Sequence, residues 1–509
     1  MRLRWHWAFT TTSDTGLWPR WFYLRILAVG FIAGFLSLST QIHGLIGPQG
    51  ILPARQFLQA IASHEPGWRR FLLVPSILWW NSGPAGLDLL CAGGFIAALL
   101  LFLNIWPRAT LFLCWLFYLS FVSVARDFSG FQSDGLMLES ALLAIFLAPR
   151  GFRPGMGEGS PPSAAALFVM RWLLFRLLFE SGMVKLLSGD VGWRHFSAMD
   201  DYYVNCPFPS WIGWYAQQLP HAFHACTVGL AFLTELVCPL MIFQGRRWRI
   251  PAFGIVTLFQ TGILLTGNYT FLNYNTIALA FLLLDDQDLH RWIRLRVPAT
   301  RPELPPPFWK KIGAGAVLTF LFYVSTVWLL GIIGLPLGRL PRWVLRPLEW
   351  SVPFRSANHY GLFAVMTHER NQIEFEGSDD GGATWRTYEL KWQPQKLNVP
   401  PRFMAPHLPR FDWNLWFANL GSWQDYPFVQ RTAVRLLQGE PTVTGLFARN
   451  PFPGKPPSTI RFARYRYQFT DLETLRSTGC WWKRERIADY APAVFRDSFD
   501  GKIKWRSAQ

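Results

Sequence analysis

The sequence predicts an α-helical polytopic membrane bundle of eight to nine transmembrane helices, followed by a β-rich α+β domain on the extracytoplasmic side. Three observations carry that prediction. Of 509 residues, 51% are hydrophobic, 17% aromatic and only 16% charged, whereas soluble chains carry about 25% charged residues. The apolar residues gather into nine runs. After Pro353 the texture changes to a charged sequence with no run long enough to span a bilayer.

The runs lie at about 22–39, 86–105, 109–125, 134–148, 164–187, 224–244, 250–266, 271–284 and 311–334. Those at 134–148 and 271–284 fall short of the roughly 20 residues a bilayer core requires, which leaves eight spans as the alternative. Arg2, Arg4 and Arg20 precede the first run with no small-residue cleavage site, so that run is expected to stay as a signal anchor. With the N-terminus in the cytoplasm, cytoplasmic segments hold fifteen Lys and Arg against five in the opposite loops, as the positive-inside rule requires. Nine spans then place the C-terminal part outside the cytoplasm.

Three regions follow: a bundle over 1–284 with an outer loop at 188–223, a charged, proline-rich linker and last helix over 285–340, and a soluble domain over 355–509. Within the last region, 360–367, 373–376 and 384–392 are rich in β-branched and aromatic residues and are expected as strands, with SDDGG turning between the last two. Ser378, Asp380, Gly382 and Trp385 match a single Asp-box pattern, expected to be a structural turn with Trp385 plugging the core. Helical spacing marks 411–420 and 428–439, with Gly439 as the stop. The segment 459–470 alternates aromatic and basic residues as a strand with a bulge near Ala463.

The net charge of +17 sits in short clusters between apolar runs, and 27 Trp with 43 Phe suit interfacial belts. Membrane lipid is therefore an expected partner and nucleic acid is not. Cys91, Cys114, Cys226 and Cys238 fall in apolar runs as small hydrophobes; Cys206 and Cys480 lie in polar segments, free or paired. The motifs of serine hydrolases, zinc proteases and nucleotide-binding folds do not occur, so no catalytic residue, metal or cofactor is expected. His221 and His224 form a pair three residues apart without an assigned third ligand.

The chemistry concentrates at 171–220. Arg176 and Glu180 are four apart, on one face of an apolar helix, where each charge would cost roughly 2.5–3.5 kcal/mol at bilayer centre if it met lipid. They form either an ion pair that fixes packing or a polar cavity that receives a ligand or a partner segment. Lys185 lies near the helix end. Asp88, Asp134, Glu139 and Glu235 are further charges in or beside apolar runs, which on paper converge on that cavity. The loop that follows carries Trp193, Tyr202, Tyr203, Trp211, Trp214 and Tyr215, stiffened by Pro207 and Pro209, and is expected to lie as a platform on the outer membrane face.

RLLFESGMVKLLSGDVGW, then DYY and PFPSWIGWYAQQLP, resembles the membrane core of the lipase maturation factor family, as do FQSDGLMLESALLAIFLAP, TELVCPLMIF and TGNYTFLNYNTIALAFLLLDD. In the last region YGLFAVMTHER, EGSDDGGATWRTYE, APHLPRFDWNLWF, LFARNPFPGKPP and WWKRERIADY resemble that family's C-terminal motifs. The resemblance implies a chaperone-like integral membrane protein, resident in the endoplasmic reticulum of animals, that helps an exported client, a secreted lipase, to fold and assemble. It adds Asn268, Asn273, Arg410, Asp412, Trp413 and Trp416 to Glu139, Arg176, Glu180, Lys185, Glu235 and the loop residues as client- or cavity-forming candidates. The membrane core is also distantly similar to vitamin K-dependent carboxylase-type proteins, which gives the alternative of a membrane enzyme or transporter using the Arg176–Glu180 cavity. Where the family loop is expected to read YHYE, this chain has Asp201, Tyr202, Tyr203 and Val204. The C-terminus KWRSAQ is no reticulum-retention signal and the one N-x-[ST] site is Asn268-Tyr269-Thr270, which favours a bacterial inner membrane.

Overall fold

The computed structural model describes residues 16–299, 307–497 and 503–505. Arg2, Arg4, the prolines at 302–306 and most of the KWRSAQ terminus lie outside the described residues.

Each apolar run forms a helix: α1 (Leu17–Ser39), α2 (Pro84–Phe102), α3 (Pro107–Val122), α4 (Gln132–Leu147), α5 (Ala164–Leu187), α6 (His221–Ile242), α7 (Arg246–Thr266), α8 (Leu272–Phe281) and α9 (Phe308–Ile332). Local chemistry sets their ends. Pro84 and Pro107 occupy first-turn positions, where a missing N–H costs nothing, and the Ser163 hydroxyl accepts from Ala166 N to open α5. Helix α6 carries a π-turn at Leu233–Val237 immediately before Pro239, whose ring cannot continue the regular ladder.

Among the described residues, five helices are long and apolar enough to cross a membrane: α1, α2, α6, α7 and α9. The count of eight to nine spans is finer than that. Helix α5 has the length, at 24 residues, but carries Arg171, Arg176, Glu180 and Lys185; α4 and α8 are short, at 16 and 10 residues. All three pack within the same bundle, α4 and α8 against α1 and α5.

The C-terminal region builds a six-stranded antiparallel sheet from β1 (Arg370–Ser378), β2 (Arg386–Thr387), β3 (Thr459–Phe469), β4 (Trp482–Asp489), β5 (Val494–Arg496) and β6 (Ile503–Trp505). Its order is β2-β1-β3-β5-β6, with β4 also paired to β3. The expected bulge falls one residue along, between Arg464 and Tyr465. Helix α10 (Arg410–Ala418) covers the sheet through Phe411 on Phe375, and α11 (Pro427–Gln438) ends on Gly439 in the left-handed region.

Two strand expectations need correction. Residues 360–367 are irregular, and 384–392 keeps only the two residues of β2 and a single bridge from Glu389 to Arg449. In both, the aromatic side chains that suggested strands instead pack against the bundle or under the sheet: Tyr360 and Tyr388 are fully buried. The Asp box is a local turn, with Asp380 accepting from Ser378 Oγ and Thr384 N, but Trp385 is half-buried beneath the Arg461 guanidinium rather than in the core.

One hydrophobic core runs from Tyr23 in α1 to Val494 in β5, so the sheet region and the bundle share their interior.

Candidate functional site

Six of the charges singled out in the sequence, Asp134, Glu139, Arg176, Glu180, Lys185 and Glu235, are buried and lie in three separate places. In the first, Arg176 and Glu180 of α5 meet Glu139 of α4 and the segment that follows the last helix. Arg176 pairs with Glu139 and donates to the Asn358 carbonyl at 2.8 Å, while Glu180 accepts from Tyr360 N at 2.7 Å. Glu139 also accepts from Asn358 N at 2.8 Å and from the Tyr360 hydroxyl at 2.9 Å. Gly135 permits this approach, because a Cβ there would lie 2.9 Å from the Asn358 side chain. The Arg176–Glu180 pair itself is loose, at 3.6 Å. Both side chains are held by the chain's own residues 358–360.

The second place is one turn further out. Lys185 donates to Glu235 on the π-turn of α6, to Ser181 O and to Leu362 O, at 2.9, 3.1 and 2.9 Å. Its three N–H donors are thereby used. Trp193 donates to Phe363 O at 3.0 Å, and Asp190 accepts from Met366 N at 2.8 Å. Residues 358–366 are therefore stitched across the outer end of α5 by main-chain bonds, which explains why they form no strand: their polar groups are already satisfied.

The third lies between α3, α4 and α10. Arg410 grips Asp134 with both terminal nitrogens at 2.7 and 2.8 Å and donates to the Tyr118 oxygen at 2.9 Å and to Phe128 O. A fork of this kind matches a carboxylate in geometry as well as charge. Asp88 belongs to none of these; it pairs with His43 at an exposed position. The expected convergence on one cavity is thus replaced by two polar locks and a third at the sheet domain, because each acid pairs with a different base: Glu139 with Arg176, Glu235 with Lys185, Asp134 with Arg410 and Asp88 with His43.

The outer loop is a correction too. Trp193, Tyr202, Tyr203 and Trp214 are buried inside the protein instead of being presented at a surface; Trp211 and Tyr215 are exposed. Arg370, missed in the sequence because it opens an ordinary strand, is 2% exposed and donates to Val204 O, Cys206 O and Pro207 O. Pro209 bridges to Gly267. Trp416 donates to Asn205 O at 3.1 Å, and Asp412 caps Trp392 N at 3.0 Å. Burial pushes the Asp412 carboxyl up to about 7, against the opposing backbone bond from Trp392.

Asn268, the one glycosylation motif, is 1% exposed; its amide donates to Arg402 O and accepts from Met404 N and Ala405 N, so it clamps the 402–405 strap rather than presenting an acceptor. Asn273 donates to Gln260 inside the bundle at 2.6 Å. Cys206 is buried, and both it and Cys480 are free, so they do not pair. His221 and His224 share Asp200 as an acceptor at 3.0 and 2.9 Å, and among the described residues no group of His, Cys, Asp and Glu is arranged to hold a metal ion.

What the arrangement leaves open is a groove of about 360 Å³ lined by Phe131, Tyr202, Cys206 and Pro207 together with Trp413, Trp416, Phe417 and Leu420. The 361–367 segment also lines it, with Val365 65% exposed. Four of the sequence candidates, Tyr202, Pro207, Trp413 and Trp416, meet here.

Residues 18–291 match the family profile described as the lipase maturation factor transmembrane domain, and residues 356–492 match the lipase maturation factor C-terminal domain. Among curated proteins the chain is 32% identical to lipase maturation factor 2 of Gallus gallus, over 94% of this chain and 81% of that protein. It is 30% identical to lipase maturation factor 1 of Bos taurus over 94% and 89%, and 32% identical to lipase maturation factor 2 of Homo sapiens over 94% and 82%. No solved structure matches the chain.

Proposed function

The chain belongs to the lipase maturation factor family, and we propose that it acts as an integral membrane, non-catalytic factor for the maturation of an exported lipase, holding the client in the groove between bundle and sheet domain. The observation that carries this reading is the composition of that groove. Half-buried Trp416 and Phe417, backed by buried Trp413 and Phe131, stand beside exposed Leu420 and Val365, the surface type that holds apolar segments of a partner.

The alternative of an enzyme or transporter working through Arg176 and Glu180 draws no support, since both side chains are tied to residues 358–360. We further infer nine membrane segments, α1 to α9, with the N-terminus cytoplasmic and the groove on the exported side. The fifteen-to-five charge bias and the packing of short α4 and α8 inside the bundle support it. The relatives named above are animal proteins, so the bacterial placement stays without support.

The test keeps the chain whole. Trp416→Ala with Val365→Asp should lower the secreted activity of a co-expressed client lipase at unchanged abundance of both proteins; full activity would refute the groove as the docking site.

A further inference from the structure

Beneath the groove, on the other side of Tyr202, Tyr269, Leu272 and Phe363, lies a second cavity of about 340 Å³ between α5, α6, α7 and α8. Its volume falls in the range of about 300–1,000 Å³ usual for small-ligand sites. The wall is mainly apolar, with Leu177, Leu178, Leu230 and Ile263 around it. Of the lining residues only Phe223, Leu258 and Gly262 are exposed. They stand on α6 and α7, both long and apolar enough to cross a membrane, so the mouth opens sideways toward lipid rather than toward water.

The polar lining defines what enters. Lys185 has its three donors occupied by Glu235, Ser181 O and Leu362 O, leaving no cationic donor for a carboxylate or phosphate. Ser181 and Thr276 turn their hydroxyl hydrogens back onto their own helices. Asn273, 2% exposed, donates to Gln260, while its Oδ1 finds no donor in the protein. A buried acceptor at hydrocarbon depth calls for a donor, because no bulk water reaches it.

We propose that this cavity is a lipid-binding site for an uncharged, hydroxyl-bearing acyl lipid of the monoacylglycerol class, which enters from the bilayer between α6 and α7 and donates its hydroxyl to Asn273 Oδ1. The acyl chain fills the apolar wall. A fatty acid anion is disfavoured, since it would bring a charge to a site whose one cation is already neutralised by Glu235.

The test uses the full-length chain in phosphatidylcholine nanodiscs with a photoreactive monoacylglycerol probe and peptide mapping. Labelling is expected on α6 and α7 around the mouth, with unlabelled monoacylglycerol competing about fivefold or more better than the fatty acid of equal chain length. A Cβ on Gly262 meets nothing within 4 Å, so Gly262→Trp can cover the mouth without displacing a neighbour; it should cut labelling about fivefold or more. Gly254, on the same helix, outside the lining and equally open, supplies the control: Gly254→Trp should leave labelling unchanged. Asn273→Leu should erase the preference for monoacylglycerol over fatty acid. Equal labelling of wild type and Gly262→Trp, or equal competition by the fatty acid, overturns the proposal, as does labelling displaced by the client protein but not by monoacylglycerol.

Discussion

Arg176 donates to the carbonyl of Asn358 across 182 residues of sequence, so a charge in the middle of an apolar helix is satisfied by the segment that leads from the last membrane helix into the sheet domain. Bundle and sheet domain are joined there by bonds, not merely by a linker. Removing one partner of such a buried cluster leaves an uncompensated charge, at a cost of about 3–5 kcal/mol. Arg176→Gln is therefore expected to lower the thermal midpoint of the purified chain and to open residues 355–367 to protease. An unchanged midpoint and cleavage pattern would show that the bond is incidental.

The Arg410–Asp134 fork should behave as a coupled pair. Asp134→Asn or Arg410→Met alone strands a charge fully buried among Phe121, Phe131 and Tyr118. The double variant strands neither. In a double-mutant cycle read by thermal unfolding, the pair should lose less than the sum of the singles, with a coupling of roughly 1–3 kcal/mol. Additive losses would contradict the pairing.

Gly44, in the short helix after α1, touches the C-terminal region so closely that a Cβ would sit 2.5 Å from the Thr442 carbonyl. Since that atom is backbone, it cannot swing aside. Gly44→Ala should loosen the sheet domain from the bundle, seen as faster hydrogen exchange in 441–447, whereas Gly67→Ala, with open space around it, should not.

Asp412 gives a pH dependence of known sign. Its folded-state pKa, about 7, lies above the unfolded value of 3.8 because burial disfavours the carboxylate. Between those values the folded state keeps a proton that the unfolded state has lost, so this residue's contribution to stability falls as pH rises from about 4 to 7 and is level above. Asp412→Asn should flatten that part of the stability profile; an identical slope in the variant would rule Asp412 out as its source.

Much of this was legible in the sequence, and the exceptions share a cause. Periodicity and length placed α1 to α9, β1, β3, α10 and α11, because those elements are set by local pattern. The same rules misplaced 360–367, where Tyr360, Leu362 and Phe363 have strand-like chemistry but give their main-chain groups to Glu180, Lys185 and Trp193. Arg176 and Glu180 announced themselves as buried charges; Asn358, which completes the first lock, and Arg370, which holds the 204–207 loop, did not, since neither polar residue is unusual in a segment read as solvent-facing. The burial of Trp193 and Trp214 was missed for the related reason that an interfacial aromatic and a domain-contact aromatic have the same sequence signature.

Site-specific photocrosslinking tests the docking surface most directly. With a photoreactive residue at Val365 or Leu420 on the groove rim, a co-expressed client lipase should be captured during its maturation, and a residue at Trp68, exposed on the bundle, should capture none. Capture from Trp68 equal to that from Val365, or no capture from the groove while active lipase is secreted, would contradict the account.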